Sequence, residues 1–352
     1  MAGSMTAVDF ARLDFELTAL RAYLRNSFGA GGELRIERVG GGQSNPTYFV
    51  DYGGRRMVLR KKPAGSILPG AHAIEREFRV LKALGQTDVP IPKVILLCED
   101  SNVLGTPFYL MERLEGRSFH DCSLPAMSSA ERRSIYLSLA ETMARLHAVN
   151  PYDIGLGDFG RPGNYFERQI SRWSKQYAES PSDRIPALEH VVAWLPKNLP
   201  PDDGRVSIAH GDFRLGNMLF HPSKAEVVGI LDWELATLGH PLADLAFCCI
   251  PWHSTFDEYG GILGLDHPAL GIPSEAEFVT HYFKCAMPTS PLLAFHIVFA
   301  LFRFAVIFLG ISDRAKSGTA SSSNAAEVGL LATKFAARAE QVIASKWAGF
   351  LL

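Results

Sequence analysis

The chain has 352 residues, 47% of them hydrophobic and 20% charged, with 35 Lys and Arg against 37 Asp and Glu and a formal charge of −2. That length favours two packed units over one core, and the apolar content excludes a disordered chain. The near-balance of charge excludes a large basic field for nucleic acid or an anionic membrane surface. The five cysteines (Cys98, Cys122, Cys248, Cys249, Cys285) are odd in number and lack C-x-x-C spacing, which argues against a disulfide framework or a zinc site and for a reducing cytoplasm. Residues 1–10 show no basic region followed by an apolar one, so no secretory signal is expected there.

In chain order, residues 12–29 read as an amphipathic helix, after which short apolar runs broken by glycine predict strands near 34–39, 47–52 and 56–61. A helix is expected from His72 to Leu84, then strands near 93–98 and 108–112, which together make a β-β-β-α-β-β unit. The texture changes near 112–118. Ser128-Ser129-Ala130-Glu131 reads as a capping box opening a helix to about Ala148. Helices follow at Asn164 to Tyr177, Ala187 to Trp194 and Glu275 to Phe283, with a short strand pair near 216–231. The apolar stretch Leu292 to Ile311 carries His296 and Arg303, charges that are costly in lipid, so it reads as a buried core helix rather than a membrane span. Ser317 to Ala326, rich in Ser and Ala, reads as a mobile loop.

The densest chemical signal is His210-Gly211-Asp212-Phe213-Arg214-Leu215-Gly216-Asn217, followed fifteen residues after the asparagine by Asp232-Trp233-Glu234. Phosphoryl transfer needs one carboxylate to orient or deprotonate the attacking hydroxyl. It also needs an amide oxygen and a second carboxylate to hold Mg²⁺ against the nucleotide phosphates. Asp212, Asn217 and Asp232 supply those groups in that order, and the apolar run Val227 to Leu231 reads as a strand that delivers Asp232. Taken singly, the same residues also suit turns, with Asp212 and Asp232 as helix caps and Asn217 in a left-handed conformation.

Through HGDFRLGN, LDWE and Gly239-His240-Pro241-Leu242-Ala243-Asp244-Leu245-Ala246, the chain resembles the aminoglycoside phosphotransferase and choline kinase superfamily over roughly residues 30–310. The resemblance implies an α+β, bilobal protein-kinase-like fold. A small antiparallel sheet lobe with a leading helix would occupy residues 1–113, and a larger, mostly helical lobe with the catalytic loop and acceptor site would occupy 114–352. It implies ATP and Mg²⁺ as cofactors, Asp212 as catalytic base, Asn217 and Asp232 as metal ligands, a structural His210, and an Asp244 that anchors the catalytic loop. An N-cap role for Asp244 is the alternative.

In the first lobe, the turn Val39 to Asn45 offers backbone N–H groups of Gly41, Gly42, Ser44 and Asn45 to phosphate oxygens, although the G-x-G-x-x-G spacing of protein kinases is absent. The strand ending Leu59-Arg60-Lys61-Lys62 should present one cation to the α- and β-phosphates. Similarity to choline-kinase-like members favours Arg60, paired with Glu77 before Glu75, with Lys61 and Lys62 in reserve. Phe108 to Leu114 resembles the hinge where adenine meets main-chain groups of Glu112 and Leu114, and Met111 suits either that pocket or plain core.

The segment Gly160-Arg161-Pro162-Gly163-Asn164-Tyr165-Phe166-Glu167-Arg168-Gln169-Ile170-Ser171-Arg172-Trp173 is similar to the kinase-like domain fused to some acyl-CoA dehydrogenases. That narrower resemblance implies a small-molecule hydroxyl acceptor, in the working reading a hydroxyacyl-CoA thioester. Arg161, Arg168 and Arg172 would suit a CoA phosphate or carboxylate, unless Arg168 and Arg172 are simply an exposed i, i+4 pair. No concentrated acidic run awaits a cationic aminoglycoside, but an aminoglycoside or amino-alcohol kinase remains the alternative. So does a catalytically silent nucleotide-binding module. A protein kinase is disfavoured, because no A-P-E segment is present and Asp232-Trp233-Glu234 replaces D-F-G.

Overall fold

A computed structural model describes residues 13–40, 45–63, 73–161, 163–286, 290–316 and 329–345. Two compact units emerge: residues up to Thr87 with Ile91–Glu115, and Asp88–Pro90 with the residues from Gly116 onward. The fold is α+β, with a small antiparallel sheet in the first unit and helices dominating the second.

The first unit opens with α1 (Leu17–Phe28) and continues through β1 (Leu34–Arg38), β2 (Thr47–Tyr52), β3 (Arg55–Lys61), α2 (Ile74–Leu84), β4 (Val94–Cys98), the one-turn α3 (Ser101–Leu104) and β5 (Phe108–Glu112). The sheet order is β1-β2-β3-β5-β4, every pair antiparallel. Alternation along β2 buries Tyr48, Val50 and Tyr52 on the face that also holds Leu20 and Leu24 of α1. Each such side chain contributes about 1.5–3 kcal/mol by leaving water. Phe108 and Leu110 of β5 belong to that core, whereas Tyr109, one residue out of phase, meets Phe78 of α2 with ring centroids 6.1 Å apart. α2 therefore covers the opposite face.

The leading helix starts at Leu17 rather than residue 12, because Asp14 is committed to the sheet: it accepts hydrogen bonds from the Tyr48 hydroxyl at 2.7 Å and Lys61 Nζ at 2.8 Å. The expected start of α2 at His72 lies outside the described residues, as does the loop expected at Ser317 to Ala326.

The second unit contains α4 (Ser129–His147), α5 (Tyr165–Ala178), α6 (Pro186–Trp194), β6 (Ser207–Ala209), β7 (Met218–Phe220), β8 (Val227–Ile230), β9 (Thr237–Gly239), α7 (Pro241–Cys248), α8 (His267–Leu270), α9 (Glu275–Cys285), α10 (Ala294–Lys316) and α11 (Leu331–Ala344). Ser128 caps α4 by accepting from the Glu131 N–H, but Glu131 turns its carboxylate to Arg117 at 2.8 Å, so only half of the expected box forms. The complete box is at Ser274 and Glu277, opening α9. α10 is long and apolar enough to cross a bilayer, yet 78% of its most apolar window is buried inside the protein. Phe304 and Phe308 of α10 pack against Phe335 of α11 with ring centroids 4.7 and 5.4 Å apart. All five cysteines are free thiols.

Candidate active site

The catalytic-loop motif lies between two short antiparallel pairs, β6 with β9 and β7 with β8. β6 ends at Ala209 and releases His210 into the loop, and Asn217 leads directly into β7. Gly211 takes φ +83°, and a Cβ there would stand 2.8 Å from the Leu235 carbonyl oxygen, so both backbone angle and space demand glycine.

Asp212 and Asn217 are brought together: Asn217 Nδ2 donates to an Asp212 carboxylate oxygen at 2.7 Å and to the Asp212 carbonyl at 2.9 Å. With the amide nitrogen so engaged, the Asn217 amide oxygen is the atom that could meet a cation. On the other strand of the β7–β8 hairpin, the Leu231 N–H donates to the Asn217 carbonyl at 2.9 Å, which sets Asp232 beside the asparagine. Asp232 holds a left-handed φ of +66°, a conformation that costs about 1–2 kcal/mol in most residues and less in Asp or Asn. Neither aspartate caps a helix among the described residues, and Asn217 lies in a 3₁₀ turn rather than left-handed. Three oxygen-bearing side chains on two adjoining segments fit a hard cation such as Mg²⁺ by donor chemistry. Asn217 and Asp232 would be its ligands.

Side chains from inside and outside the motif hold this loop. Asp244 is fully buried in the first turn of α7, and its two oxygens accept the N–H groups of His210 at 2.6 Å and Gly211 at 2.9 Å. Burial alone would raise its carboxyl, but His147 at 3.4 Å, His210 and the Gly211 N–H outweigh that and hold it below the ordinary carboxylate value. The anchoring role implied for Asp244 is thus observed, whereas the N-cap alternative is not: the cap of α7 is His240. His210 accepts the Asp212 N–H on Nδ1 at 3.2 Å, and its Nε2 lies 2.9 Å from the Leu231 carbonyl, so the ring acts as a strut between the two segments. Trp233 braces the same corner, donating its indole N–H to the Ile230 carbonyl at 2.9 Å.

Sequence reasoning missed two residues here. Arg303, buried in the middle of α10, donates to the Gly211 carbonyl and lies 4.9 Å from the Phe247 ring centroid. Its signal was a lone arginine within a long apolar helix. Arg214, inside the motif itself, sets its Nε 3.2 and 3.3 Å from the two Asp212 oxygens and its guanidinium 6.0 Å from the Tyr259 ring. Beside it opens a small recess lined by His120, Cys122, Tyr136, Phe247, Tyr259 and Phe304. The adjoining loop, residues 254–265, exposes Phe256, Tyr259, Leu263 and Leu265. Its acids are neutralised from α11: Asp257 pairs with Lys334 at 3.3 Å and Glu258 with Arg338 at 2.8 Å.

In the first unit, Arg60 lies 3.1 Å from Glu77, whose side chain is 1% exposed. Glu77 also accepts from Asn45 Nδ2 at 2.6 Å and the Tyr109 hydroxyl at 3.1 Å. The other two cations are engaged elsewhere, Lys61 with Asp14 and Lys62 with Glu75 at 2.6 Å. Asn45 is thus part of the Glu77 cluster, while Gly41, Gly42 and Ser44 lie outside the described residues. Glu112 closes β5 with its N–H on the Lys93 carbonyl at 2.9 Å and its carboxylate on the Lys93 N–H at 3.0 Å; Leu114 follows, half-buried. Met111 is buried in the sheet. In the second unit, Arg161 and Arg168 line a separate cavity of about 540 Å³ at the far end of β6 and β9, whereas Arg172 packs 5.3 Å from the Trp173 ring.

With this geometry in view, residues 35–270 match the family described as "Phosphotransferase enzyme family". The chain is 43% identical to mouse acyl-CoA dehydrogenase family member 10 over 90% of its length, and 42% identical to human acyl-CoA dehydrogenase family member 11 over 88%. It spans only 30% and 41% of those relatives' own lengths. Among solved structures it is similar to a Ralstonia eutropha JMP134 protein provisionally described as an aminoglycoside phosphotransferase, with TM-score 0.84 and 44% identity over 94% of this chain and 99% of that one. Its fold is also that of aminoglycoside phosphotransferase APH(4)-Ia, seen with ADP and hygromycin B, with TM-score 0.61 and 15% identity over 91% of this chain and 98% of that one.

Proposed function

Because the chain belongs to the phosphotransferase enzyme family, we propose that it transfers the γ-phosphate of ATP, with Mg²⁺, to a hydroxyl of a small molecule, and that the acceptor is a hydroxyacyl-CoA. The observation that carries the reaction class is the joined set Asp212, Asn217 and Asp232 on a loop fixed by Asp244 and Arg303. Asp212 accepts the acceptor's hydroxyl proton as that oxygen bonds to phosphorus and the bond to the ADP oxygen breaks. Asn217 holds the Asp212 carboxylate in place, and Arg60, ordered by Glu77, is the cation for the α- and β-phosphates. Bound Mg²⁺ supplies charge neutralisation at the phosphates, with Asn217 and Asp232 as its protein ligands. Backbone groups of Gly41, Gly42, Ser44 and Asn45 are assigned to the phosphates, and those of Glu112 and Leu114 to adenine.

The acceptor reading rests on the surroundings of Asp212. A cation, Arg214, stands against the base, and the loop beside it is apolar with its acids already paired. Such a surface favours an acyl chain with a carbonyl or anionic group and disfavours a polycation. The acyl-CoA dehydrogenase names of the relatives support the thioester, and Arg161 and Arg168, which line the cavity beside β6 and β9, are assigned to its phosphates. The free thiols support a reducing, cytoplasmic setting.

The test is Mg²⁺-dependent ADP release by wild type and Asp212→Ala over hydroxyacyl-CoAs, amino alcohols, sugars, aminoglycosides and a generic protein. Hydroxyacyl-CoA should drive turnover that Asp212→Ala lowers by about 10²–10⁴-fold while nucleotide binding persists. Turnover of aminoglycosides or amino alcohols instead would overturn the acceptor; nucleotide binding without turnover of any class would favour a silent module.

A further inference from the structure

An unassigned donor cluster lies where α4 meets α9. Glu141 of α4 and His281 and Cys285 of α9 bring a carboxylate oxygen, a ring nitrogen and a thiol sulfur within 4.8 Å of one another. His281 and Cys285 are four residues apart on one helix and so share a face, and Glu141 reaches His281 Nε2 at 2.8 Å from the neighbouring helix. The frame is rigid. The same two helices are joined by the His147 ring and Tyr282 hydroxyl at 2.8 Å and by Arg133 and Glu277 at 2.9 Å. Glu141 is 49% and His281 27% exposed at the side chain, so water can complete a coordination sphere.

We propose that Glu141, His281 and Cys285 bind a thiophilic divalent cation of the Zn²⁺ class, with water as fourth ligand, clamping α9 to α4. Tetrahedral zinc holds N, O and S donors at about 2.0–2.3 Å, which sets them roughly 3.5 Å apart, within side-chain rotation of the present spacing. The absence of C-x-x-C, which argued against zinc, does not bear on a His-x-x-x-Cys pair completed by another helix. The mixed N, O, S donor set also separates this site from the all-oxygen ligands Asn217 and Asp232. Binding requires the thiolate, and the thiol proton leaves to solvent. Because that proton must be lost on binding, affinity should rise with pH. Glu141 lies six residues, about 9 Å along α4, from His147, the partner of Asp244. The clamp therefore stiffens the helix pair behind the catalytic loop.

Metal-free full-length protein, without nucleotide, is titrated with Co²⁺ and then Zn²⁺. The expected result is one equivalent of Co²⁺ with a near-ultraviolet sulfur-to-cobalt charge-transfer band, displaced by Zn²⁺, and affinity lowered at least tenfold by Cys285→Ser and by His281→Gln. Both variants, at exposed Cys285 and half-buried His281, should keep the thermal midpoint of the metal-free wild type and lose its rise with Zn²⁺. No charge-transfer band, a band that survives in Cys285→Ser, or unchanged affinity in His281→Gln would overturn the proposal.

Discussion

The Glu77 cluster and the catalytic loop are both buried polar networks, but they are tied together differently. Around Glu77, side chains bind side chains: Arg60, Asn45 and Tyr109 converge on one carboxylate. At the catalytic loop, side chains bind main chain: Asp244 takes two N–H groups, Arg303 a carbonyl, and His210 one group of each kind. The first network sets the position of a charge; the second sets the path of the backbone. Damage to the first should therefore appear as lost ligand affinity, and damage to the second as lost stability.

Asp244→Ala should show the largest loss of stability, about 3–5 kcal/mol in urea unfolding, because it leaves two buried N–H groups and His147 without their anion. Arg303→Met, similar in length and apolar, should cost about 1–3 kcal/mol by orphaning the Gly211 carbonyl, with turnover reduced as the loop loosens.

Acid should weaken the helical unit through a third buried group. Burial, then the neighbouring His240, push the His296 ring down to about 3 from its usual 6.5. The folded state then binds fewer protons than the unfolded chain between those values. Its contribution is complete above about pH 6.5 and falls as the pH drops towards 3, by about 2 kcal/mol at pH 5. Urea midpoints measured from pH 7.5 to 5 should fall in wild type and flatten in His296→Gln.

Glu77→Gln should lower nucleotide affinity about tenfold, roughly 1.4 kcal/mol, while moving the unfolding midpoint less than Asp244→Ala does. The reverse ranking would break the contrast between the two networks. Arg56→Ala, which removes a surface pair with Glu115, should stay within about 0.5 kcal/mol of wild type and marks the floor of the scale.

Asp212, Asn217 and Asp232 were legible in the sequence because the loop and hairpin that carry them are local, with the hairpin closing over a short separation. Arg60 and Glu77 were legible for another reason, since similarity to choline-kinase-like members favoured Arg60 over Lys61 and Lys62 and paired it with Glu77, an ion pair that the structure contains. Arg303 was not, because 92 residues separate it from Gly211 and nothing in an apolar helix says which distant carbonyl its arginine meets. β6 and β9 are three residues each, too short to show a period, and they define where the loop begins. α11 was also unmarked, following closely on a Ser- and Ala-rich stretch, yet its Lys334 and Arg338 neutralise the acids near the recess. Arg214 was in plain view within the motif, but its bearing on Asp212 depends on a turn geometry that spacing does not encode.

The left-handed backbone at Asp232 has a practical consequence for trapping the protein with its ligands. Asparagine is the other side chain that tolerates this conformation well, so Asp232→Asn exchanges one oxygen for an NH₂ group and erases the charge without asking the hairpin to move. Under the proposed function such a variant is the natural bait for cocrystals: a correctly shaped but idle copy in which nucleotide and acceptor could be soaked together and caught before they react.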